Sequence, residues 1–210
     1  VAYLRRPGPR ARRLLAYLEH RARARSGDWH ALDARARATL FRPRGIVFTD
    51  TADFTVRVTR DGILHFLMLL NRALGTLERE VRRARGRVVK VEADSLLLLF
   101  DDAVAACRGV EAVEGGLSRL NKGRPENQRL RFSYGVGYGE VLDLEQDAFG
   151  LEVNLASKLG EDTARPGEAL LTPGAVEALD ARTRRRVSPW GTVRFGPTVL
   201  SVHRLELRRH

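Results

Sequence analysis

Phe48-Thr49-Asp50-Thr51-Ala52-Asp53-Phe54-Thr55, answered further along by Lys90-Val91-Glu92-Ala93-Asp94-Ser95, decides how this chain is read. Gly45-Ile46-Val47-Phe48 leads into Asp50, and Val88-Val89-Lys90-Val91 leads towards Asp94. A short apolar run closed by turn-forming residues reads as a buried strand. Two neighbouring strands that end in Asp set two hard oxygen ligands side by side at a sheet edge. Mg²⁺ and Mn²⁺ prefer such ligands when phosphate oxygens and water complete the shell. The pattern therefore predicts metal-assisted nucleotide chemistry, with Asp50 and Asp94 as the metal ligands.

Working outward, Ile63, Phe66, Leu67, Leu70, Leu74, Leu77 and Val81 follow helical spacing, with Glu78, Arg79, Arg82 and Arg83 off the stripe. Gly86 is expected to stop that helix. Two strands over 87–91 and 96–100 follow, joined by a tight turn at 92–95. A second helix is expected from about Asp102 to Leu120, then a polar loop from Asn121 to Gln128. A strand pair is expected over Leu130 to Leu144, a short helix from Glu152 to about Leu159, and a strand at Leu170-Leu171. Thr172-Pro173 reads as an N-cap with Pro in the first turn. A hairpin turned at Gly196-Pro197 closes the pattern. The order β-α-β-β-α-β with additions is the split βαβ plan of ferredoxin-like α+β sheets.

Charge is divided unevenly. The whole chain carries 37 basic and 26 acidic residues, a net +11. Residues 1–44 hold twelve arginines against Glu19, Asp28 and Asp33, a net +9, so the body over 45–210 is nearly neutral. That leader reads as a loop at Pro7-Gly8-Pro9, a basic helix with Leu14, Leu15, Tyr17 and Leu18 as apolar points, and a break at Ser26-Gly27-Asp28. A second short helix containing Trp29, Leu32, Ala36 and Leu40 is expected to end at Pro43. The single cysteine, Cys107, excludes an internal disulfide and a cysteine-based metal site, and fits a reducing cytosol. It sits among apolar positions and reads as a core residue. No run approaches the length of a membrane span, and the N-terminus does not read as a signal peptide, so a cytoplasmic location is expected.

Four blocks, in order, resemble one family. Phe48 to Thr55 is similar to an F-x-D-x-x-x-F-T block, and Lys90 to Asp94 to a K-x-x-G-D hairpin. Tyr134-Gly-Val-Gly-Tyr-Gly-Glu140 is similar to a G-x-x-x-G-E strand. Phe149-Gly150-Leu-Glu-Val153-Asn154-Leu-Ala-Ser-Lys158-Leu159 resembles a G-x-x-V-N-x-A-x-R-(L/M) helix. These are the blocks of the class III nucleotidyl cyclases, and the resemblance runs from about Gly45 to Leu207. It implies a cyclase catalytic domain over 45–210 behind a basic helical leader over 1–44.

The resemblance also assigns roles. Asp50 and Asp94, with the backbone carbonyl of Thr51, would hold two Mg²⁺ or Mn²⁺ ions, and Thr51, Phe54 and Thr55 fall in the substrate-binding block. Asp53 is expected to cap a helix. The family's two base-reading positions fall on Lys90 and Asp147. Lys only donates and ionised Asp only accepts, which complements the N1 acceptor and exocyclic donor of adenine. Asp143 is the alternative acid, because the loop before Phe149 is short. Asn154 would orient the ribose. Lys158, four residues on and so on the same helix face, would neutralise charge on the α-phosphate where the family carries Arg, without that residue's bidentate fork. Ala93 stands where the family prefers Gly, and residues with a Cβ resist positive φ. The family's C-terminal phosphate-holding Lys has no clear counterpart; Arg194 is the nearest cation.

The expected activity is conversion of ATP to 3′,5′-cyclic AMP and pyrophosphate in a homodimer. Asp50 and Asp94 would act from one subunit, and Lys90, Asp147, Asn154 and Lys158 from the other. The competing reading is a cyclase-like module that has lost turnover and serves in dimerisation or nucleotide sensing. The leader offers a surface for a regulatory partner. Its arginines, interleaved with Tyr3, Tyr17 and Trp29, also permit contact with nucleic acid or an anionic membrane.

Overall fold

A computed structural model describes residues 7–208; Tyr3 of the leader lies outside the described residues. The leader forms two helices, α1 (Pro9–Arg23) and α2 (Trp29–Leu40). β1 (Phe41–Thr51) follows directly, then α3 (Phe54–Asp61), α4 (Ile63–Arg83), β2 (Gly86–Glu92), β3 (Ser95–Phe100), α5 (Ala103–Asn121) and β4 (Phe132–Asp143). A two-residue strand β5 (Ala148–Phe149) leads into α6 (Leu151–Asp162) and β6 (Ala169–Leu171). Two short helices, α7 (Pro173–Glu177) and α8 (Ala181–Arg184), precede the hairpin β7 (Val187–Phe195) and β8 (Thr198–Leu205).

One sheet runs in the order β2-β3-β1-β4-β6-β8-β7, with β5 added to β4. Its first four strands, read in sequence, are the expected split βαβ unit, and β4 pairs with β6 in parallel while the other pairings are antiparallel. One face carries Leu96, Leu98 and Phe100 against Phe66, Leu70 and Leu77 of α4 and Val110, Val113 and Leu117 of α5. The other carries Ile46, Leu97, Leu99 and Val141 against Val153 and Ala156 of α6. β3 is buried on both faces, as its unbroken apolar run requires.

Three expectations are corrected. The strand pair over 130–144 is one long strand, β4, because Gly135, Gly137 and Gly139 are packing positions and not turns. A Cβ on Gly135 would stand 1.9 Å from the Ala156 carbonyl oxygen, so bare glycine lets α6 lie directly on the strand. Pro43 does not end α2. It lies inside β1, opposite Glu140, and the helix has already stopped at Leu40. Gly86 opens β2, and the turn after α4 is made by Arg85 at φ +62°.

The leader packs on the domain. Leu14 of α1 and Leu40 of α2 form an apolar cluster with Leu142 and Leu144 at the end of β4, flanked by Tyr17, Ala36 and Phe41. Among the described residues no helix is long and apolar enough to cross a membrane.

Candidate active site

β1 and the β2–β3 hairpin bring the two aspartates to the same edge. Asp50 is the second-last residue of β1, and Asp94 lies in the turn between β2 and β3. The hairpin is stapled to β1 by Thr51, whose buried hydroxyl donates to the Asp94 carbonyl at 2.7 Å, and by the Leu96 N–H, which donates to Thr49 Oγ1 at 3.2 Å. Ser95 Oγ donates to Asp50 Oδ1 at 3.2 Å. The turn places Ala93 at φ +51°, so it keeps a left-handed geometry with a side chain present.

Burial, then the charge of Asp94, pushes the Asp50 carboxyl up to about 6; the Ser95 hydrogen bond opposes this, and the charge of Glu161 adds a smaller push upward. Asp94 is raised as well, first by burial and further by Glu161. Neither aspartate has a basic ion-pair partner among the described residues. Crowded, unneutralised carboxylate oxygens are a donor set that suits a hard divalent cation. No group of three or more His, Cys, Asp or Glu side chains among the described residues is placed to hold a metal. Of the residues at this edge, Asp50 and Asp94 are the ones that could hold a divalent cation.

Beside this edge a cleft of about 260 Å³ is lined by Phe48, Lys90, Ser95, Asp147, Asn154 and Glu161, among others. Lys90 and Asp147, far apart in sequence, face each other with Nζ and Oδ2 3.8 Å apart. The other oxygen of Asp147 is committed locally: Oδ1 accepts the Ala148 N–H at 2.9 Å. Oδ2 is therefore the atom left to face a ligand. Lys90 also pairs with the exposed Glu92 at 2.7 Å, and that hydrogen bond, outweighing burial, raises its pKa and keeps it charged. A larger groove of about 910 Å³ beside Glu114, Arg165 and Arg204 contains none of these residues.

Asn154 sits exposed on α6 at the cleft. The helix is pinned at its start by Glu152, whose Oε2 accepts the Tyr138 N–H at 3.2 Å and the Thr172 hydroxyl at 2.6 Å. Lys158, one turn further, is not among the residues lining the cleft. It pairs with Asp162 at 2.6 Å on the same helix. Phe54 is turned inward, its ring edge-on to Phe66 with centroids 4.8 Å apart, and it serves the core rather than the cleft. Thr55 is exposed on the first turn of α3. Asp53 stands at the N-cap position of α3, but its side chain makes no capping bond and its φ is +60°. Arg194 lies on β7 at the sheet edge opposite β2 and is not part of the cleft.

The alternative acid Asp143 is used otherwise. Its side chain is 3% exposed and pairs with Arg87 and Arg10, with Arg44 Nε at 3.9 Å. A carboxylate so neutralised has no acceptor to spare for a base, which leaves Asp147 as the acid facing Lys90. Sequence reasoning missed Ser95 and Glu161. Glu161 follows Asn154 by seven residues on α6, so the helical stripe through 154 and 158 signals it.

No protein-family model matches the chain. A Rhizobium meliloti (strain 1021) protein described as "Putative adenylate cyclase 3" is 29% identical over 142 residues, 68% of this chain and 24% of that protein. The chain thus spans about a quarter of that relative's length. A solved adenylate/guanylate cyclase/hydrolase from Silicibacter pomeroyi superposes with a TM-score of 0.65 at 23% identity, covering 79% of this chain and 96% of that one. The guanylate cyclase domain of RhGC from Catenaria anguillulae, in complex with GTP, gives 0.65 at 17% identity over 80% and 97%. Strand order and structural likeness converge: this chain has the fold of the adenylate/guanylate cyclase catalytic domains.

Proposed function

We propose that the domain converts ATP to 3′,5′-cyclic AMP and pyrophosphate at sites shared by two copies of the chain. The observation that carries the choice of base is the Lys90–Asp147 pair, 3.8 Å apart in one cleft with Asn154. Lys90 donates to adenine N1, and Asp147 Oδ2 accepts from the exocyclic amine; guanine presents the opposite signs and would meet a donor with a donor. Asn154 holds the ribose, and Asp50 and Asp94 of the other subunit hold the cations. Two Mg²⁺ or Mn²⁺ ions, when bound, lower the pKa of the 3′-hydroxyl and neutralise the triphosphate. The chain's own part is positioning: it aligns the 3′-oxygen with the α-phosphate and supplies charge where charge develops. Lys158 supplies that charge once it leaves Asp162.

A second reading is favoured by one observation. Lys158 replaces the family's Arg and is engaged by Asp162 at 2.6 Å, so a chain with weak or absent turnover that binds nucleotide and dimerises has a physical basis. Incubation of the purified protein with each nucleoside triphosphate and Mn²⁺ or Mg²⁺, followed by mass detection of cyclic product, separates the two. Cyclic AMP from the wild type, absent in the Asp50→Asn, Asp94→Asn double variant, is expected. A different cyclic nucleotide keeps the chemistry and overturns the base assignment, and no product from any nucleotide favours the second reading.

A further inference from the structure

The leader helix and the loop that carries Asp147 share one ion cluster. Asp143, the last residue of β4, meets arginines from three separate places: Arg87 of β2, Arg44 of β1 and Arg10 of the first turn of α1. Arg87 pairs with Asp143 Oδ1 and also donates to the Glu145 carbonyl at 2.8 Å. Arg10 Nη1 lies 2.6 Å from Asp143 Oδ2, and the Arg10 backbone N–H donates to Glu145 Oε1 at 3.1 Å. Gly8 lies so close that a Cβ there would stand 2.8 Å from Glu145 Oε2.

These contacts grip a very short loop. The Glu145 N–H donates to Asp143 Oδ1 at 3.2 Å, and the Leu144 N–H donates to the Asp147 carbonyl at 2.9 Å. Glu145 itself is held at φ +66°, a conformation disfavoured for a residue with a Cβ. Its carbonyl is held by the Arg87 side chain and its carboxylate by the Arg10 main-chain N–H, with Arg10 Nε 3.8 Å away, while the Arg10 guanidinium holds Asp143. The bulge at Val89 matters here. It shifts the β2–β3 register between Val88 and Lys90, so Arg87 and Lys90 both face the α6 side, opposite Leu99 and Leu97. β2 thereby grips the loop at Asp143 and Glu145 with one side chain and meets its returning end, Asp147, with the other.

We propose that Arg10 and Arg87 are positioning residues for Asp147, so that docking of the leader helix sets how firmly the site reads its base. The proposal rests on the assignment of Lys90 and Asp147 as the base-recognition pair. With α1 docked, Asp147 Oδ2 is held towards Lys90. With α1 displaced, the loop loses its outer grip, relaxes at Glu145 and turns the carboxylate away. Whatever displaces the leader then acts on base recognition without touching the metal edge.

The test uses the full chain with Arg10→Ala and Arg10→Lys, and Arg87→Lys as a change on the domain side of the same cluster. The first readout is hydrogen exchange at the Leu144 and Ala148 amides, whose partners belong to Asp147. Arg10→Ala is expected to speed exchange there by roughly tenfold while β1 and α6 amides are unchanged. The second is titration with ATP and with GTP, together with KM and kcat. ATP affinity is expected to fall about tenfold, near 1.4 kcal/mol, through KM rather than kcat, with GTP binding unmoved and Arg10→Lys intermediate. Unchanged exchange at Leu144 and Ala148, or equal weakening of ATP and GTP, overturns the proposal. A wild type that binds neither nucleotide and yields no cyclic product instead overturns the base assignment, and the exchange readout still decides whether the leader grips the loop.

Discussion

Ala93 shows how one side chain can depart from a family's pattern while the backbone keeps it. The turn between β2 and β3 needs a left-handed residue, and Ala93 adopts φ +51° there. For an L-residue that conformation costs about 1–2 kcal/mol, while glycine would add about 0.4–1 kcal/mol of entropy to the unfolded chain. Ala93→Gly is therefore expected to stabilise the protein by up to about 1 kcal/mol, read as a raised denaturant midpoint at constant slope; a lowered midpoint would contradict the left-handed turn. Asp143 supplies the pH dependence. Burial alone would push its carboxyl up, but the Arg87 charge and hydrogen bond, the Glu145 N–H and Arg10 together hold it below the ordinary aspartate value of 3.8. A carboxyl lowered on folding contributes fully above its unfolded pKa, and that contribution is lost as the pH falls through the folded one. Stability should fall as the pH drops below 3.8. Asp143→Asn should flatten that acid limb and cost roughly 3 kcal/mol at neutral pH, because it leaves the arginines facing a neutral amide. Denaturation at neutral and acidic pH measures both, and an acid limb of unchanged slope in the variant would show that Asp143 is not its source.

At the scale of elements, the site depends on how closely α6 approaches β4. Gly135 and Gly137 face the helix, and a Cβ at Gly135 would fall 1.9 Å from the Ala156 carbonyl oxygen and 2.6 Å from the Gly160 nitrogen. Both obstacles are backbone, which cannot rotate away. Gly135→Ala is expected to cost about 3 kcal/mol or more, and to weaken nucleotide binding by lifting Asn154 off the cleft. A fully stable Gly135→Ala protein would show that the helix can ride higher than described. The alternating glycines were visible in the sequence as part of a strand motif, but nothing there said what they pack against. Glycine marks both turns and close approaches, and only the helix lying over β4 distinguishes them. The bulge at Val89 was not visible at all. Without it Lys90 and Arg87, three residues apart, would point to opposite faces.

At the scale of the whole molecule, the proposed site needs two copies. Asp50 and Asp94 are assigned to one subunit and Lys90, Asp147 and Asn154 to the other, so two differently damaged chains can repair each other. Mixing Asp50→Asn with Lys90→Ala protein is expected to restore about a quarter of wild-type activity, since half the dimers are mixed and each holds one intact site of two. No recovery on mixing, with subunit exchange demonstrated, would place the whole site within one chain. The sequence by itself determined most of the order of strands and helices and the edge where the two aspartates meet. Apolar periodicity is a local property, and the residues that close a strand lie beside it. It also marked Lys90 and Asp147, though through likeness to a family rather than through any local signal. Only the tertiary structure decided that Asp147 and not Asp143 faces Lys90, that Phe54 turns into the core, that Lys158 rests on Asp162, and that the leader reaches the loop carrying Asp147 through Arg10. Each of these is a choice of partner among like-charged or like-shaped groups distant along the chain. Charge alone does not fix which arginine meets which carboxylate; the packing of α1, β2 and β4 around one buried aspartate does.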